Sequence, residues 1–216
     1  MSQKIAVIGS GQVGQVLADG LLKKGYAVMR GTREPSKLAA WQAAAGANAT
    51  VGTFAQAAQF GEIVILAVKG SAAEAAVTLM GADNLHGKLV LDATNPIADA
   101  PPDQGVLKFF TGPNDSLMER LQTAAPSANF VKAFSCVGNA LMIDPVLAGG
   151  RPTMFICGNN EAAKQRTRTL LDQLGWDTED CGPVQAARAI EPLCMLWCIP
   201  GFRNNDWVHA FKMLRP

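Results

Sequence analysis

The first fourteen residues hold the feature that most constrains the fold: a short apolar run, a glycine-rich turn and a helix-like stretch. Residues 4–8 lead directly into G-S-G-Q-V-G at 9–14. In this order a strand delivers the chain to a tight turn at Gly9, and Gly11, without a Cβ, lets a pyrophosphate approach the backbone. Gly14 allows close helix–strand packing, and the helix N-terminus offers free N–H groups to an anion. The pattern predicts a dinucleotide site; the alternative is a glycine turn with a structural role only.

The composition indicates a soluble, well-buried α/β protein. Of the 216 residues, 49% are apolar and 17% are charged, and the formal net charge is +1. Because Lys and Arg are scattered, we expect no nucleic-acid partner and no membrane partner. The longest apolar runs, 63–68 and 193–200, are too short to span a bilayer. The fold is predicted to begin at Lys4, which leaves no room for a secretory signal, so the expected location is the cytoplasm.

Cysteine and histidine spacing predicts no metal site. The five cysteines, Cys136, Cys157, Cys181, Cys194 and Cys198, form no C-x-x-C pair and have no histidine at metal-ligand spacing. Cys194 and Cys198 lie one helical turn apart on an apolar face, which favours reduced, buried thiols. For the two histidines, His86 and His209, we expect structural or solvated roles.

Strand-like and helix-like segments alternate along the chain, which predicts a doubly wound, mostly parallel sheet of the Rossmann type in the α/β class. Several predicted strands are continuously apolar, as expected for a parallel sheet covered on both faces. The predicted strands are 5–8, 27–31, 63–68, 89–92, 128–132 and 153–157, with a further short strand left open at 48–51. The predicted helices are 13–24, 35–46, 72–80, 116–124 and 160–174.

The alternation of strand-like and helix-like segments ends after residue 181. We therefore predict a nucleotide-binding domain, residues 1–181, and a small helical C-terminal cap, residues 182–216. The cap is predicted to contain a helix at 184–199, stopped by Pro200-Gly201, and a final helix at 206–214. About 35 residues are too few for an independent core. The cap should therefore complete an acceptor pocket or form a dimer interface, and the uncovered apolar stretch 193–202 favours a homodimer.

The end of the second predicted strand points to NADP rather than NAD. An NAD site places Asp or Glu about 20 residues after the glycines, where it binds the ribose diol. Here Thr32 and Arg33 occupy that place, a hydroxyl with its backbone N–H and a guanidinium that suit a 2′-phosphate; Lys37 lies one helical turn further on. Two alternatives stay open. In the first, Glu34 binds the ribose, although its position beyond the strand end disfavours this role. In the second, Arg33 is only a surface cation.

Motifs spread over nearly the whole chain resemble one known family. They are G-S-G-Q-V-G at 9–14, G-T-R at 31–33, D-A-T-N-P at 92–96, K-A-F at 132–134, G-P at 182–183 and E-P-L at 191–193. This combination resembles the NADPH-dependent reductases of the deazaflavin coenzyme F420 and their wider relatives, which include the nucleotide domain of metalloreductases. The resemblance implies hydride exchange between NADPH and a flat small-molecule acceptor stacked on the nicotinamide.

The glycine motif, the strand-end argument and the resemblance together give two sets of site residues. The predicted cofactor-binding residues are Gly9, Ser10, Gly11, Gln12, Val13, Gly14, Thr32, Arg33, Lys37, Ala67, Val68, Lys69, Asn95, Pro96 and Ala133. The predicted acceptor-binding residues are Ser135, Cys136, Glu191, Trp197 and Phe202. No residue is predicted to be catalytic, because holding two π systems face to face supplies most of the effect.

Two departures from the family pattern fall where the acceptor should lie. Lys69 stands where relatives often have proline, and Ser135-Cys136 stands where they commonly have Asn-Thr. Lys69 is either a solvated loop lysine or a cation that meets the acceptor. Cys136 is either a small filler or an acceptor contact, with no sign of an activated thiolate.

Four residues of the cap are open to a structural interpretation. Trp197 and Phe202 belong either to the core or to the wall of the acceptor pocket. Glu191 and Arg188 lie three residues apart on a predicted helix, which favours a structural ion pair.

The sequence therefore predicts an NADP-dependent oxidoreductase with a deazaflavin of the F420 type as co-substrate. The alternatives within enzymes are a flavin, an imine or a ferric chelate as acceptor. From a different class, a non-catalytic NADP-binding regulatory module stays open.

Overall fold

The computed structural model describes residues 2–216 and builds them around one parallel sheet. Its strands follow one another in the spatial order β3-β2-β1-β4-β5-β6, and every neighbouring pair is parallel. The doubly wound prediction is confirmed, since the chain starts in the middle and winds outward to both edges. The strands are β1 (Lys4–Ile8), β2 (Ala27–Gly31), β3 (Ala49–Gly52), β4 (Ile63–Leu66), β5 (Leu89–Asp92) and β6 (Asn129–Lys132).

Helices cover both faces of the sheet, because alternate strand residues are apolar on both sides. Ile5 and Val7 of β1 join one buried cluster, whereas Ala6 and Ile8 join the other. None of the helices within residues 2–216 has the length and apolar character needed to cross a membrane. The helices are α1 (Gln12–Lys23), α2 (Ala39–Ala45), α3 (Phe54–Phe60), α4 (Ala73–Met80), α5 (Ala82–Leu85), α6 (Leu117–Ala124), α7 (Glu161–Gln173), α8 (Ala187–Ile190) and α9 (Leu193–Asn204).

A second, two-stranded parallel sheet lies beside β6. It consists of β7 (Thr153–Ile156) and β8 (Asp177–Asp180), which α7 connects. An isolated antiparallel bridge joins it to the main sheet, where the Lys132 amide donates to the Cys157 carbonyl at 3.0 Å. The sequence predicts β7 but not β8, whose residues are charged.

The predicted helix at 206–214 is wrong. Residues 205–216 contain no helix and run back along the small sheet. The Thr153 amide donates to the Phe211 carbonyl at 2.8 Å, and the Met213 amide donates to the Thr153 hydroxyl at 3.0 Å. Because the tail's backbone groups find partners on β7, it gains hydrogen bonds without forming a helical turn.

The predicted helix at 184–199 is not one continuous helix in the structure. It splits into a 3-10 turn at Val184–Ala186, then α8 and α9. Pro200-Gly201 does not stop the helix: α9 continues to Asn204 and ends where Asn205 takes a left-handed φ of 53°. The position of the boundary between the two predicted domains stays a prediction.

Candidate nucleotide and acceptor site

A cleft opens at the carboxyl ends of β1, β2 and β4, on either side of the point where the strand order reverses. Ligands of open α/β sheets bind at such a point. The cleft has a volume of about 260 Å³, and a second hollow of about 300 Å³ extends it past Thr53 and Ala55. One wall is the apolar face of α4. The cleft is lined by Gly9, Ser10, Gly11, Thr32, Arg33, Phe54, Ala67, Val68, Lys69, Ala72, Ala75, Ala76 and Leu79.

The three glycines of the turn have separable roles. Gly9 has a φ of 143°, and a Cβ there would overlap the carbonyl oxygen of Ala67. A Cβ on Gly14 would lie 2.6 Å from the Gly9 carbonyl oxygen, so this glycine permits the close packing of α1 on β1. A Cβ on Gly11 would meet no atom of residues 2–216 within 4 Å, although Gly11 lines the cleft. The space in front of Gly11 is therefore open to a ligand.

The end of β2 presents a hydroxyl and a guanidinium to the cleft. The Thr32 hydroxyl accepts from the Glu34 amide at 3.4 Å, so its own proton remains for a ligand. The expected contribution of the Thr32 backbone N–H is wrong, because that group donates to the Gly52 carbonyl at 3.0 Å. Glu34 forms an exposed ion pair with Lys37 at 3.0 Å. Exposed pairs of this kind contribute little, so Lys37 can exchange Glu34 for a phosphate.

The ends of β5 and β6 carry two polar atoms without partners. Asn95 donates from Nδ2 to the Ser135 carbonyl at 3.2 Å, which joins the two strand ends. Asn95 Oδ1 and Ser135 Oγ are buried and have no hydrogen-bond partner within residues 2–216. An unpaired buried polar atom costs about 1–3 kcal/mol, so these two atoms favour a polar ligand group beside them. Pro96 and Ala133 are buried next to them.

The turn after β6 is tightly fixed. Phe134 is 1% exposed and has a φ of 62°, a left-handed conformation that is rare for a bulky residue and commonly found at functional sites. Cys136 is 2% exposed, and burial raises its thiol pKa to about 12. The thiol therefore stays protonated near neutral pH, which agrees with the absence of an activated thiolate.

Sequence reasoning missed a buried charge cluster behind this turn. Lys132 places its ammonium 2.6 Å from Asp92 and 2.8 Å from Glu191, and it donates to the Thr94 carbonyl at 2.8 Å. Burial alone lowers the Lys132 pKa, but the two carboxylates outweigh burial and raise it. The available signal was the set of family motifs, since Asp92, Lys132 and Glu191 each belong to one of them.

Glu191 has no free oxygen for an acceptor. Its two carboxylate oxygens accept from the Leu117 and Met118 amides, both at 3.0 Å, at the N-terminus of α6. The geometry therefore favours a structural role over the predicted acceptor contact. The expected ion pair with Arg188 is also replaced, because Arg188 pairs with Glu119.

The aromatic residues of the cap divide between the core and the surface. Trp197 is 6% exposed and packs on Gly138, where a Cβ would lie 2.5 Å from the ring. It also donates to the His209 carbonyl at 2.8 Å, which favours the core interpretation. Phe202 is 43% exposed and stands edge-to-face with Trp207 at a centroid distance of 5.2 Å.

Lys69 lines the cleft and forms an ion pair with Asp99, which lies in the proline-rich loop after β5. The hydrogen bond from Lys69 lowers the pKa of Asp99. Both side chains are 63% exposed. This loop continues to Gly105, which approaches Phe202 and Arg203 on α9. The loop therefore links the cleft to the cap.

The structure brings most of the predicted cofactor residues to one place. Eight line the cleft: Gly9, Ser10, Gly11, Thr32, Arg33, Ala67, Val68 and Lys69. Gln12, Val13 and Gly14 form the first turn of α1, and Lys37 lines a neighbouring groove. The predicted acceptor residues Ser135, Cys136, Glu191, Trp197 and Phe202 do not line this cleft.

The fold and the cleft define a dinucleotide-binding protein of the Rossmann type, and comparison with known proteins specifies the family. The family model described as NADP oxidoreductase, coenzyme F420-dependent, matches residues 4–96. A crystal structure from Arthrobacter sp. FB24, provisionally assigned as an F420-dependent NADP-reductase, is 34% identical. The match covers 99% of this chain and 100% of that one, with a TM-score of 0.92. The chain belongs to the family of coenzyme F420-dependent NADP oxidoreductases.

Two further proteins are similar to the chain. The metalloreductase STEAP3 of Rattus norvegicus is 28% identical over 202 residues, which cover 91% of this chain and 38% of the relative. The chain thus spans well under half of that curated relative. The hypothetical protein SMa0349 of Sinorhizobium meliloti, whose crystal structure is known, is 24% identical to the chain. The match covers 100% of this chain and 97% of that one, with a TM-score of 0.75. At that identity, it supports the fold alone.

Proposed function

We propose that this protein transfers a hydride between NADPH and a deazaflavin of the coenzyme F420 class. The observation that carries the proposal is the likeness to the Arthrobacter protein, which extends over 99% of the chain at 34% identity. The cofactor supplies a hydride from its dihydronicotinamide ring, so the nicotinamide is oxidised while the acceptor takes up the hydride and one proton from water. The protein's task is to hold the two rings face to face and exclude other geometries.

The cleft fits an NADP molecule laid along the strand ends. The open space at Gly11, together with the uncapped amides at the start of α1, suits the pyrophosphate. The apolar α4 wall, which includes Ala75 and Ala76, suits the adenine. Arg33 is exposed at the rim, where its planar guanidinium suits a 2′-phosphate with paired hydrogen bonds.

The nicotinamide belongs at the ends of β5 and β6. A carboxamide has one acceptor oxygen and one donor NH₂ group, and the site offers a carbonyl oxygen on Asn95 and a hydroxyl on Ser135. Both atoms are unpartnered within residues 2–216, so a carboxamide that reached them would offer each a hydrogen-bond partner. This match supports the assignment of Asn95 to cofactor binding. It also moves Ser135 toward the cofactor rather than the acceptor.

Stopped-flow oxidation of NADPH tests the proposed acceptor. The purified protein is premixed with NADPH and then mixed with coenzyme F420, with FMN, with a cyclic imine or with a ferric chelate, while absorbance at the nicotinamide band is followed. Fast decay with coenzyme F420, and slow decay with the others, is the expected result. Comparable decay with FMN would refute deazaflavin selectivity, and no decay with any acceptor would favour a non-catalytic NADP-binding module.

A ferric chelate is the second candidate, because the curated relative is a metalloreductase that is similar over 91% of this chain. Against it, the chain spans only 38% of that relative. In the same panel, ferric reduction that exceeds deazaflavin reduction would replace the first proposal with this one. The assay then needs a control without protein, since free NADPH can reduce some chelates slowly.

A homodimer formed through the cap is part of the proposal. Large apolar side chains are exposed on α9 and the following tail, with Leu196 at 53%, Trp207 at 36% and Val208 at 68%. Their burial against a second copy would remove apolar surface from water. Light scattering after size exclusion should give twice the chain mass, and Leu196→Glu should lower it. A monomer at all concentrations would contradict the proposal.

A further inference from the structure

Arg30 is a fully buried cation directly beneath the glycine-rich turn. It belongs to β2, is 0% exposed, and shares the face of the sheet with Val28. A buried guanidinium is unfavourable unless its donors are used. Its Nε and Nη1 have no hydrogen-bond partner within residues 2–216. Burial lowers the Arg30 pKa, and the nearby Asp19 carboxylate opposes that effect.

The contacts that Arg30 does make are aimed at the turn. Its Nη2 donates to the carbonyl of Gly9 and to the carbonyl of Gly11, both at 3.3 Å. The guanidinium lies over the ring of Trp41, 4.8 Å from the centroid. Trp41 is itself held by its Nε1, which donates to Asp19 at 2.7 Å. The guanidinium is thus clamped between an anchored indole and two carbonyls of one turn.

The two hydrogen bonds from Arg30 fix the direction of two backbone amides. In a trans peptide the carbonyl of one residue and the N–H of the next point to opposite sides. Because the Gly9 and Gly11 carbonyls point toward Arg30, the Ser10 and Gln12 N–H groups point away from it. Those two amides lie at the start of α1, in the turn that lines the cleft.

Arg30 acts from behind the cleft and not inside it. It lines a groove of about 730 Å³ between α1 and α2, together with Trp41 and Lys37. The lining of the nucleotide cleft does not include Arg30, whereas Ser10 lines both cavities. A residue in this place can orient the phosphate-binding turn but does not contact the phosphates.

We propose that Arg30 is a positioning residue, whose guanidinium holds the Gly9 and Gly11 carbonyls so that the Ser10 and Gln12 amides are pre-aimed at the phosphates of NADPH. The inference rests on the placement of NADPH given under the proposed function. It does not depend on the identity of the acceptor. Burial of a cation whose Nε and Nη1 lack partners is unfavourable, and the proposal explains it as the requirement for a preorganised turn.

The test separates phosphate binding from general stability. Dissociation constants are measured by calorimetry for NADPH, for 2′,5′-ADP and for adenosine, with wild type, Arg30→Met, Arg30→Lys and the matched control Arg166→Met, which removes an exposed arginine of α7. Arg30→Met should weaken NADPH and 2′,5′-ADP about tenfold, because the amides lose their fixed direction. Adenosine lacks a phosphate and should bind as before. Arg166→Met should match wild type.

The other outcomes would contradict either this proposal or the proposed function on which it rests. Unchanged NADPH affinity in folded Arg30→Met overturns the proposal, and so does an equal loss for adenosine, which would indicate a general structural role. Arg30→Lys keeps the charge but not the planar fork, so we expect an intermediate loss of NADPH affinity. Wild-type affinity in Arg30→Lys would also overturn the proposal. This second variant decides the question if Arg30→Met fails to fold. A wild-type protein that does not bind NADPH refutes the proposed function instead.

Discussion

Substitution of Gly11 by alanine should abolish tight NADPH binding while leaving the protein folded. Gly11 has φ −78° and ψ −176°, an extended conformation that any residue adopts. A Cβ there meets no atom within 4 Å in the part of the chain that the structure describes. A methyl group is therefore tolerated by the chain and can clash only with a molecule in the cleft.

The magnitude follows from the bonds that the methyl group would break. If the pyrophosphate is pushed away from the turn, it loses about two charge-assisted hydrogen bonds to backbone amides, each worth about 1.5–3 kcal/mol. A total loss of about 3 kcal/mol corresponds to roughly a hundredfold weaker binding. For the apo protein, replacement of glycine gains about 0.4–1 kcal/mol through the unfolded state, and loss of glycine at the helix N-cap offsets part of that. The melting temperature should hardly change.

The assay is a fluorescence titration of NADPH together with calorimetric melting of the apo protein. Gly149→Ala is the matched control, since Gly149 is exposed, lies outside the cleft and also has open space at its Cβ position. Gly14→Ala is the opposite control, because a Cβ there lies 2.6 Å from the Gly9 carbonyl oxygen and should lower the melting temperature itself. Normal NADPH affinity in folded Gly11→Ala would refute the placement of the pyrophosphate at this turn.

Three further changes test other parts of the structure. Arg33→Ala should weaken NADPH about ten- to a hundredfold and leave NADH unaffected in calorimetry, since only NADPH carries the 2′-phosphate; equal wild-type affinity for both would contradict this. Glu191→Gln should lower the free energy of unfolding in urea by about 3 kcal/mol, because it leaves buried Lys132 with one carboxylate fewer. Gly138→Ala should cost about 1–3 kcal/mol, since its Cβ would lie 2.5 Å from Trp197; an unchanged urea midpoint would argue against that packing.

The central sheet could be predicted from the sequence because its signals are local. Strands β2 and β5 match their predicted bounds, 27–31 and 89–92, since each is a short run between turns. Helix α3 was missed although it carries a signal: Thr53 and Gln56 form a reciprocal capping box. Strand β8 gave no such signal, because its residues are Asp, Thr, Glu and Asp.

The elements that the sequence did not predict depend on contacts between distant residues. In β8, Asp180 is stabilised by Lys164 at 2.9 Å and Arg168 at 2.8 Å, both on α7, which no strand pattern reveals. The tail 206–214 has a helical spacing of apolar residues, but the edge of β7 binds its backbone instead. The cofactor half of the site is encoded within contiguous motifs, whereas the role of Glu191 depends on amides more than 70 residues away.

Two ionisable residues near the ends of β5 and β6, Lys132 and Cys136, keep their protons near neutral pH. Lys132 is committed to Asp92 and Glu191, and its pKa is raised above the ordinary value for lysine, so it stays protonated at neutral and mildly alkaline pH. The Cys136 thiol, with a pKa of about 12, stays protonated as well. Neither group changes its charge between about pH 6 and pH 9, and a group that does not titrate imposes no bell-shaped profile on the rate. The single-turnover rate of NADPH oxidation should therefore be flat across that interval, once the titration of the free acceptor has been measured and subtracted. A bell-shaped profile that persists after this correction, and that moves in Ser135→Ala, would place a proton-transfer step at the end of β6 and overturn the view that positioning alone supplies the catalysis.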